Sequence, residues 1–182
     1  VGGGIPIIEP LKQSLGGNQI TKVSGIINGT TNYILSKMDK EGVNYDDVLK
    51  DAQELGYAES DPAADVEGLD AADKIAILSG LAFGGAINRA NIPTNGINLL
   101  KAKDVNYARK LGYGIKLLAI SEKDRNQTER EESQPLSIWV EPTLVPEDNP
   151  LAGVNGVNNA ILVEGDPIGQ VMFFGPGAGS GP

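Results

Sequence analysis

Ala160-Ile-Leu-Val-Glu-Gly-Asp-Pro-Ile-Gly-Gln-Val-Met-Phe-Phe174 consists of two apolar runs around Gly165-Asp166-Pro167. Short β-branched and aromatic runs broken by Gly, Asp and Pro read as the two strands of a β-hairpin. A hairpin pairs its strands antiparallel, so the sheet it belongs to is not built from βαβ crossovers. Residues 115–121 (Ile-Lys-Leu-Leu-Ala-Ile-Ser) and 136–141 (Leu-Ser-Ile-Trp-Val-Glu) form a second such pair. The charged stretch 123–132 reads as its solvated tip, and 143–150 as a turn-rich loop after it.

Upstream the period changes from two to 3.6. Residues 19–27 are rich in β-branched residues and read as one more strand, broken by Asn28-Gly29. Thr30 or Thr31 then caps a helix that carries Tyr33, Ile34 and Met38 and ends at Gly42. Asn44 opens another, with Val48, Leu49, Ala52 and Leu55 as its buried stripe and Gly56 just past its end. Residues 101–111 give a further helix, with Val105, Ala108 and Leu111 inward. Pro6 starts a short helical pattern with Ile7, Ile8, Leu11 and Leu15. Helices come early and hairpins late. The expected class is α+β, a mainly antiparallel sheet with helices packed on one face, as a single domain over 1–182.

The net charge of −9 disfavours a nucleic-acid partner, which needs a basic face. It also disfavours docking on anionic membranes, and the longest uncharged helical run, 75–88, is too short to span one. Cysteine is absent, which fits a reducing, cytoplasmic setting. Histidine is absent too, so any acid–base chemistry falls to Lys, Asp, Glu or Tyr. The chain begins at Val1 in one glycine run and stops just after another, and both ends read as cuts within a longer protein.

Chemistry concentrates between Gly56 and Lys74, where Glu59, Asp61, Asp65, Glu67, Asp70 and Asp73 precede one cation, Lys74. The next charged residue after Lys74 is Arg89. On a 3.6-residue period Asp70, Lys74, Ile77, Leu78 and Leu81 share a face, so the Asp70–Lys74 pair lies where the helix turns apolar. Ile75 and Phe83 make the other side apolar as well, which places this helix centrally. An ordinary surface i,i+4 pair is the plain alternative. The cleft reading takes Glu59, Asp65, Asp70 and Lys74 as the site and leaves Asp61, Glu67 and Asp73 to solvent. The acidic spacing does not match an EF-hand loop. Gly175-Pro-Gly-Ala-Gly179 lacks the following helix of a dinucleotide fingerprint, and Gly2-Gly3-Gly4 lacks the Lys-Ser/Thr of a phosphate loop.

Four stretches together resemble the homoserine dehydrogenase family. They are Val1-Gly-Gly-Gly-Ile-Pro-Ile-Ile8, Gly25-Ile-Ile-Asn-Gly-Thr-Thr-Asn-Tyr-Ile-Leu35, Ala52 to Lys74, and Gly175-Pro-Gly-Ala-Gly179. The resemblance implies an enzyme that interconverts L-homoserine and L-aspartate 4-semialdehyde with NAD(P), on the route to threonine, methionine and isoleucine. It implies the substrate-binding and dimerisation part of a homodimer, with the Rossmann cofactor domain outside this chain. Carried over residue by residue, Lys74 matches the acid–base lysine and Asp70 stands beside it as a catalytic and homoserine-binding carboxylate. Glu59 matches another homoserine-binding carboxylate, and Asp65 and Thr30 match groups near the substrate. Gly56 and Gly179 match glycines that approach the cofactor. The carbonyls of Val1, Gly3 and Ile5 match positions that hold a monovalent cation, Na+ or K+. A non-catalytic assembly domain of the same fold is the competing reading.

Overall fold

The structure, a computed structural model, describes residues 1–123 and 135–177. Five strands form one sheet among these residues: β1 (Gln19–Ile26), β2 (Tyr113–Lys123), β3 (Leu136–Pro146), β4 (Asn158–Asp166) and β5 (Gly169–Pro176). Their spatial order is β3-β2-β1-β4-β5, and every neighbouring pair is antiparallel. The helices are α1 (Gly29–Glu41), α2 (Tyr45–Glu54), the single turn α3 (Ala63–Val66), α4 (Leu69–Phe83) and α5 (Ala102–Lys110). The expected α+β class, with an antiparallel sheet and helices on one face, holds.

Strand alternation sorts the core. Val23, Leu117, Ala119, Ile161 and Val163 point to one face and pack against Ile34, Leu35, Met38, Ile75 and Leu78 of the helices. Ile26, Leu118, Ile120, Ala160 and Leu162 point to the other, where Leu151 and Val154 from the loop before β4 join them. β1 lies at the centre, and its C-terminal end is where the chain leaves the sheet for α1. That exit places the start of α1 beside α3, with its cap residue Asn28 in reach of the first turn of α4.

The structure corrects several expectations. β3 runs on to Pro146, although 143–150 reads as a loop. Pro142 and Pro146 break the sequence pattern, but β3 is an edge strand, where a missing N–H is tolerated. The expected solvated tip beyond Lys123 falls on residues outside those described. Leu55 and Leu111 are 58% and 72% exposed, because each lies just past its helix, where the stripe no longer faces the core. The buried face of α4 is Ala71, Ala72, Ile75, Leu78 and Ser79. Asp70, Lys74 and Ile77 each precede a residue of that face by one position, about 100° around the helix, and Ile77 is 50% exposed. The Asp70–Lys74 pair thus sits outside the buried face rather than on it.

Candidate active site

The chain turns out of β1 at Ile27 and Asn28. Asn28, not Thr30 or Thr31, is the N-cap of α1: its side-chain Oδ1 accepts from the Thr31 N–H at 2.9 Å. Asparagine is among the best residues for that post, since its short side chain reaches back to an otherwise unpaired amide. The Thr31 hydroxyl adds a second hydrogen bond to the same oxygen at 3.0 Å. With its oxygen committed, the Asn28 amide must turn its NH2 outward. There it donates to Asp65 Oδ1 at 2.6 Å and to Asp70 Oδ2 at 2.9 Å.

Lys74 completes the cluster. Its Nζ donates to Asp70 Oδ2 at 2.6 Å and to the Ile27 carbonyl at 3.1 Å. An ammonium has three N–H groups, so one remains uncommitted. Asp70 lies in the first turn of α4, where the helix dipole favours a carboxylate. The side chains of Lys74 and Asp70 are 26% and 32% exposed, half-buried outside the apolar face.

The structure therefore gathers three of the expected site residues, Asp65, Asp70 and Lys74, around Asn28. Thr30 stands two residues after Asn28, and its hydroxyl donates to the Tyr57 carbonyl at 2.6 Å. That bond moors the loop after α2 to the start of α1, and the Tyr33 and Tyr57 rings, 5.0 Å apart, pack the same join. Gly56 precedes Tyr57, is exposed, and has φ +76° with nothing near the place a Cβ would take. Glu59 follows three residues after Gly56 on the exposed side, and its carboxylate makes no hydrogen bond or ion pair among the described residues. Asp61, Glu67 and Asp73 are exposed as expected, with Asp73 paired to Arg89 at 2.7 Å. Gly179 lies outside the described residues.

Beside this corner the two glycine runs cross. Gly4 N–H donates to the Pro176 carbonyl at 3.0 Å, and Gly177 N–H to the Val157 carbonyl at 2.9 Å. A Cβ on Gly3 would stand 2.5 Å from the Pro176 oxygen, and one on Gly177 would stand 2.2 Å from Asn159 Oδ1. Both glycines are there for close approach. The sheet connects this crossing to Lys74. The register that sets Ile26 against Ala160 brings Ile27 opposite Asn159, which pairs on its other side with Gly175. Asn159 is fully buried, and neither atom of its amide has a partner. The carbonyls of Val1 and Gly3 accept no hydrogen bond among the described residues, and that of Ile5 accepts one from Ile7 N–H. No group of three or more acidic, His or Cys side chains among the described residues could hold a metal ion. Backbone carbonyls are the donors on offer here.

Sequence reasoning missed Asn28 and Lys116. The signal for Asn28 was its place at a strand-to-helix break. Lys116 interrupts the apolar run 115–121 and is 4% exposed. It donates to the Val154 carbonyl and to Asn155 Oδ1 at 3.0 Å, with Asn32 Oδ1 at 3.5 Å. Burial pulls its ammonium down from 10.5 to about 8, and Asp39 offsets only part of that.

No helix among the described residues is long and apolar enough to cross a membrane. The sequence profile of homoserine dehydrogenase matches residues 6–182. A homoserine dehydrogenase from Synechocystis sp. is 60% identical across 100% of this chain, which spans 41% of that protein. The Bacillus subtilis homoserine dehydrogenase is 46% identical, again over the whole chain and 40% of the relative. The crystal structure of a homoserine dehydrogenase from Thiobacillus denitrificans superposes with a TM-score of 0.92 at 49% identity, covering 99% of this chain and 40% of that one. A hyperthermophilic archaeal homoserine dehydrogenase mutant in complex with NADPH superposes at 0.77 with 31% identity, over 98% of this chain and 48% of that one. The chain thus spans about 40% of the length of the curated relatives it matches. A profile match over nearly all its residues, and a fold shared at close to half identity, establish that the chain belongs to the homoserine dehydrogenase family.

Proposed function

We propose that this chain is the substrate-binding and catalytic part of an enzyme that interconverts L-homoserine and L-aspartate 4-semialdehyde. The observation that carries the reading is the Lys74 ammonium, held by Asp70 Oδ2 and the Ile27 carbonyl with one N–H left over. When bound, NAD(P)H supplies the hydride that reduces the aldehyde carbon. Lys74 aims its remaining N–H at the aldehyde oxygen, stabilises the negative charge that develops there, and passes its proton to it. In the reverse direction the neutral amine takes that proton back. Asp70 and Ile27 fix the direction of the ammonium. Asp65 Oδ2 and Asp70 Oδ1, outside the bonds to Asn28, together with Glu59 at the exposed rim, suit the α-ammonium group of the substrate. Thr30 holds the Gly56–Tyr57 loop against this corner.

Gly56 and, by its place in the motif, Gly179 offer bare backbone to a flat nicotinamide ring. Gly56 supports that fit, because it is exposed and nothing stands within 4 Å of the place its Cβ would take. The rest of the cofactor site belongs to a separate NAD(P)-binding domain in the longer protein. The Val1, Gly3 and Ile5 carbonyls would hold a monovalent cation, for which carbonyl oxygens are suitable donors. A cytoplasmic homodimer is part of the same reading, and the exposed Met172 and Phe174 on edge strand β5 give it an apolar surface.

The test is homoserine-dependent reduction of NADP+ by the full-length protein that carries this chain. Turnover that requires homoserine is expected. Its absence with both NAD+ and NADP+, in a folded protein, supports the assembly-domain reading instead.

A further inference from the structure

We infer that Asn28 is a positioning residue for Lys74, setting the spacing of Asp65 and Asp70 through its amide while its carbonyl oxygen caps α1. This rests on Lys74 being the acid–base group. Three observations carry it. First, the orientation of the amide is fixed: Oδ1 faces two donors, the Thr31 N–H and hydroxyl, so Nδ2 must face the acids. Second, each of its two hydrogens serves a different carboxylate, at 2.6 Å and 2.9 Å. Asp65 comes from α3 and Asp70 from α4, so this one group spans the two elements. Third, the oxygen it meets on Asp70 is the same Oδ2 that receives the Lys74 ammonium.

The physical role follows from charge. Two carboxylates brought to one site repel each other, and a neutral amide that donates to both holds them together without adding charge. Asn28 is 5% exposed and its N-cap post is rigid, so it transmits the geometry of the sheet exit to the acids. Without it Asp70 is free to rotate, and the Lys74 ammonium loses its fixed direction.

Capping and bridging can be separated in the full-length protein. Asn28→Ser keeps a good cap but cannot span the two carboxylates. Its expected result is a Tm within a few degrees of wild type and kcat lowered roughly 10- to 100-fold, the loss that follows a misplacement of about 1 Å. Asn28→Asp keeps the shape and the cap but turns the donor into a third carboxylate. It should lose at least as much near pH 8 and recover part of that loss relative to wild type toward pH 5, where the introduced carboxyl, once protonated, donates to one of the two acids. Unchanged kcat in N28S, or a loss in N28D that does not depend on pH, overturns the proposal and leaves Asn28 a cap. A wild-type protein without homoserine turnover sinks the enzymatic reading, and Asn28 is then decided by stability. The Tm losses of N28S and D70N combine less than additively if the bridge exists. Full additivity sinks it.

Discussion

Asp70 Oδ2 accepts hydrogen bonds from the Lys74 ammonium at 2.6 Å and from the Asn28 amide at 2.9 Å. One carboxylate oxygen thus joins the head of α4 to the cap of α1, and Lys74 is held by an acid that is itself held. Asp70→Asn removes the charge and keeps the shape. Because the pair is about a quarter to a third exposed, its loss should cost no more than about 1 kcal/mol of stability. Turnover should fall far more, by roughly 10²-fold or beyond, as a misdirected acid–base group requires. Thermal melting and steady-state kinetics on the same preparation check the contrast.

Gly3→Ala should destabilise the fold by about 1–3 kcal/mol, through a positive φ and a Cβ that would stand 2.5 Å from a backbone oxygen. Gly177→Ala meets the buried Asn159 amide at 2.2 Å and should likewise lower the melting temperature. Gly17→Ala is the control, since nothing lies within 4 Å of its Cβ position and its φ is not positive. Urea unfolding of the three variants ranks them, with Gly17→Ala close to wild type.

Lys116 makes stability rise with pH. Its ammonium is pulled down to about 8 when folded against 10.5 when exposed, so between those values the unfolded chain binds a proton the folded chain has shed. The wild-type protein should gain on the order of 3 kcal/mol relative to Lys116→Met as pH climbs from 8 to 10.5. Taking the difference from Lys116→Met cancels Lys37 and Tyr45, whose raised values change stability from about pH 10 upward. A flat difference across that window would show that Lys116 titrates normally.

If the NAD(P)-binding domain lies elsewhere in the longer protein, as proposed, the 182 residues expressed alone should show little or no homoserine-dependent NADP+ reduction. Normal turnover by the isolated chain would mean that it binds the dinucleotide unaided. Spectrophotometry at saturating homoserine decides it.

Much of this architecture was legible because it rests on local periodicity. The hairpin around Gly165-Asp166-Pro167 declares itself through turn residues, and the class follows from it. Asp65, Asp70 and Lys74 stand out by charge density before an apolar helix. What stayed hidden depends on tertiary position. That Pro142 and Pro146 sit in a strand follows only from β3 being at the edge. Ile77 is exposed because the buried face of α4 is offset by one residue, a phase that the neighbouring elements set. Asn28 was visible as a break in a strand, but its partners lie 37 and 42 residues away in sequence. The burial of Lys116 has no local signal, because it comes from α1 and the loop before β4 closing over the strand.

On the proposed function, Lys74 moves the proton. The most direct measurement is kcat for homoserine oxidation by Lys74→Ala in the full-length protein, with its melting curve alongside. A fall of roughly 10²- to 10⁴-fold with the fold intact is expected. A kcat within a factor of about two of wild type would contradict it and return the chain to a role in assembly.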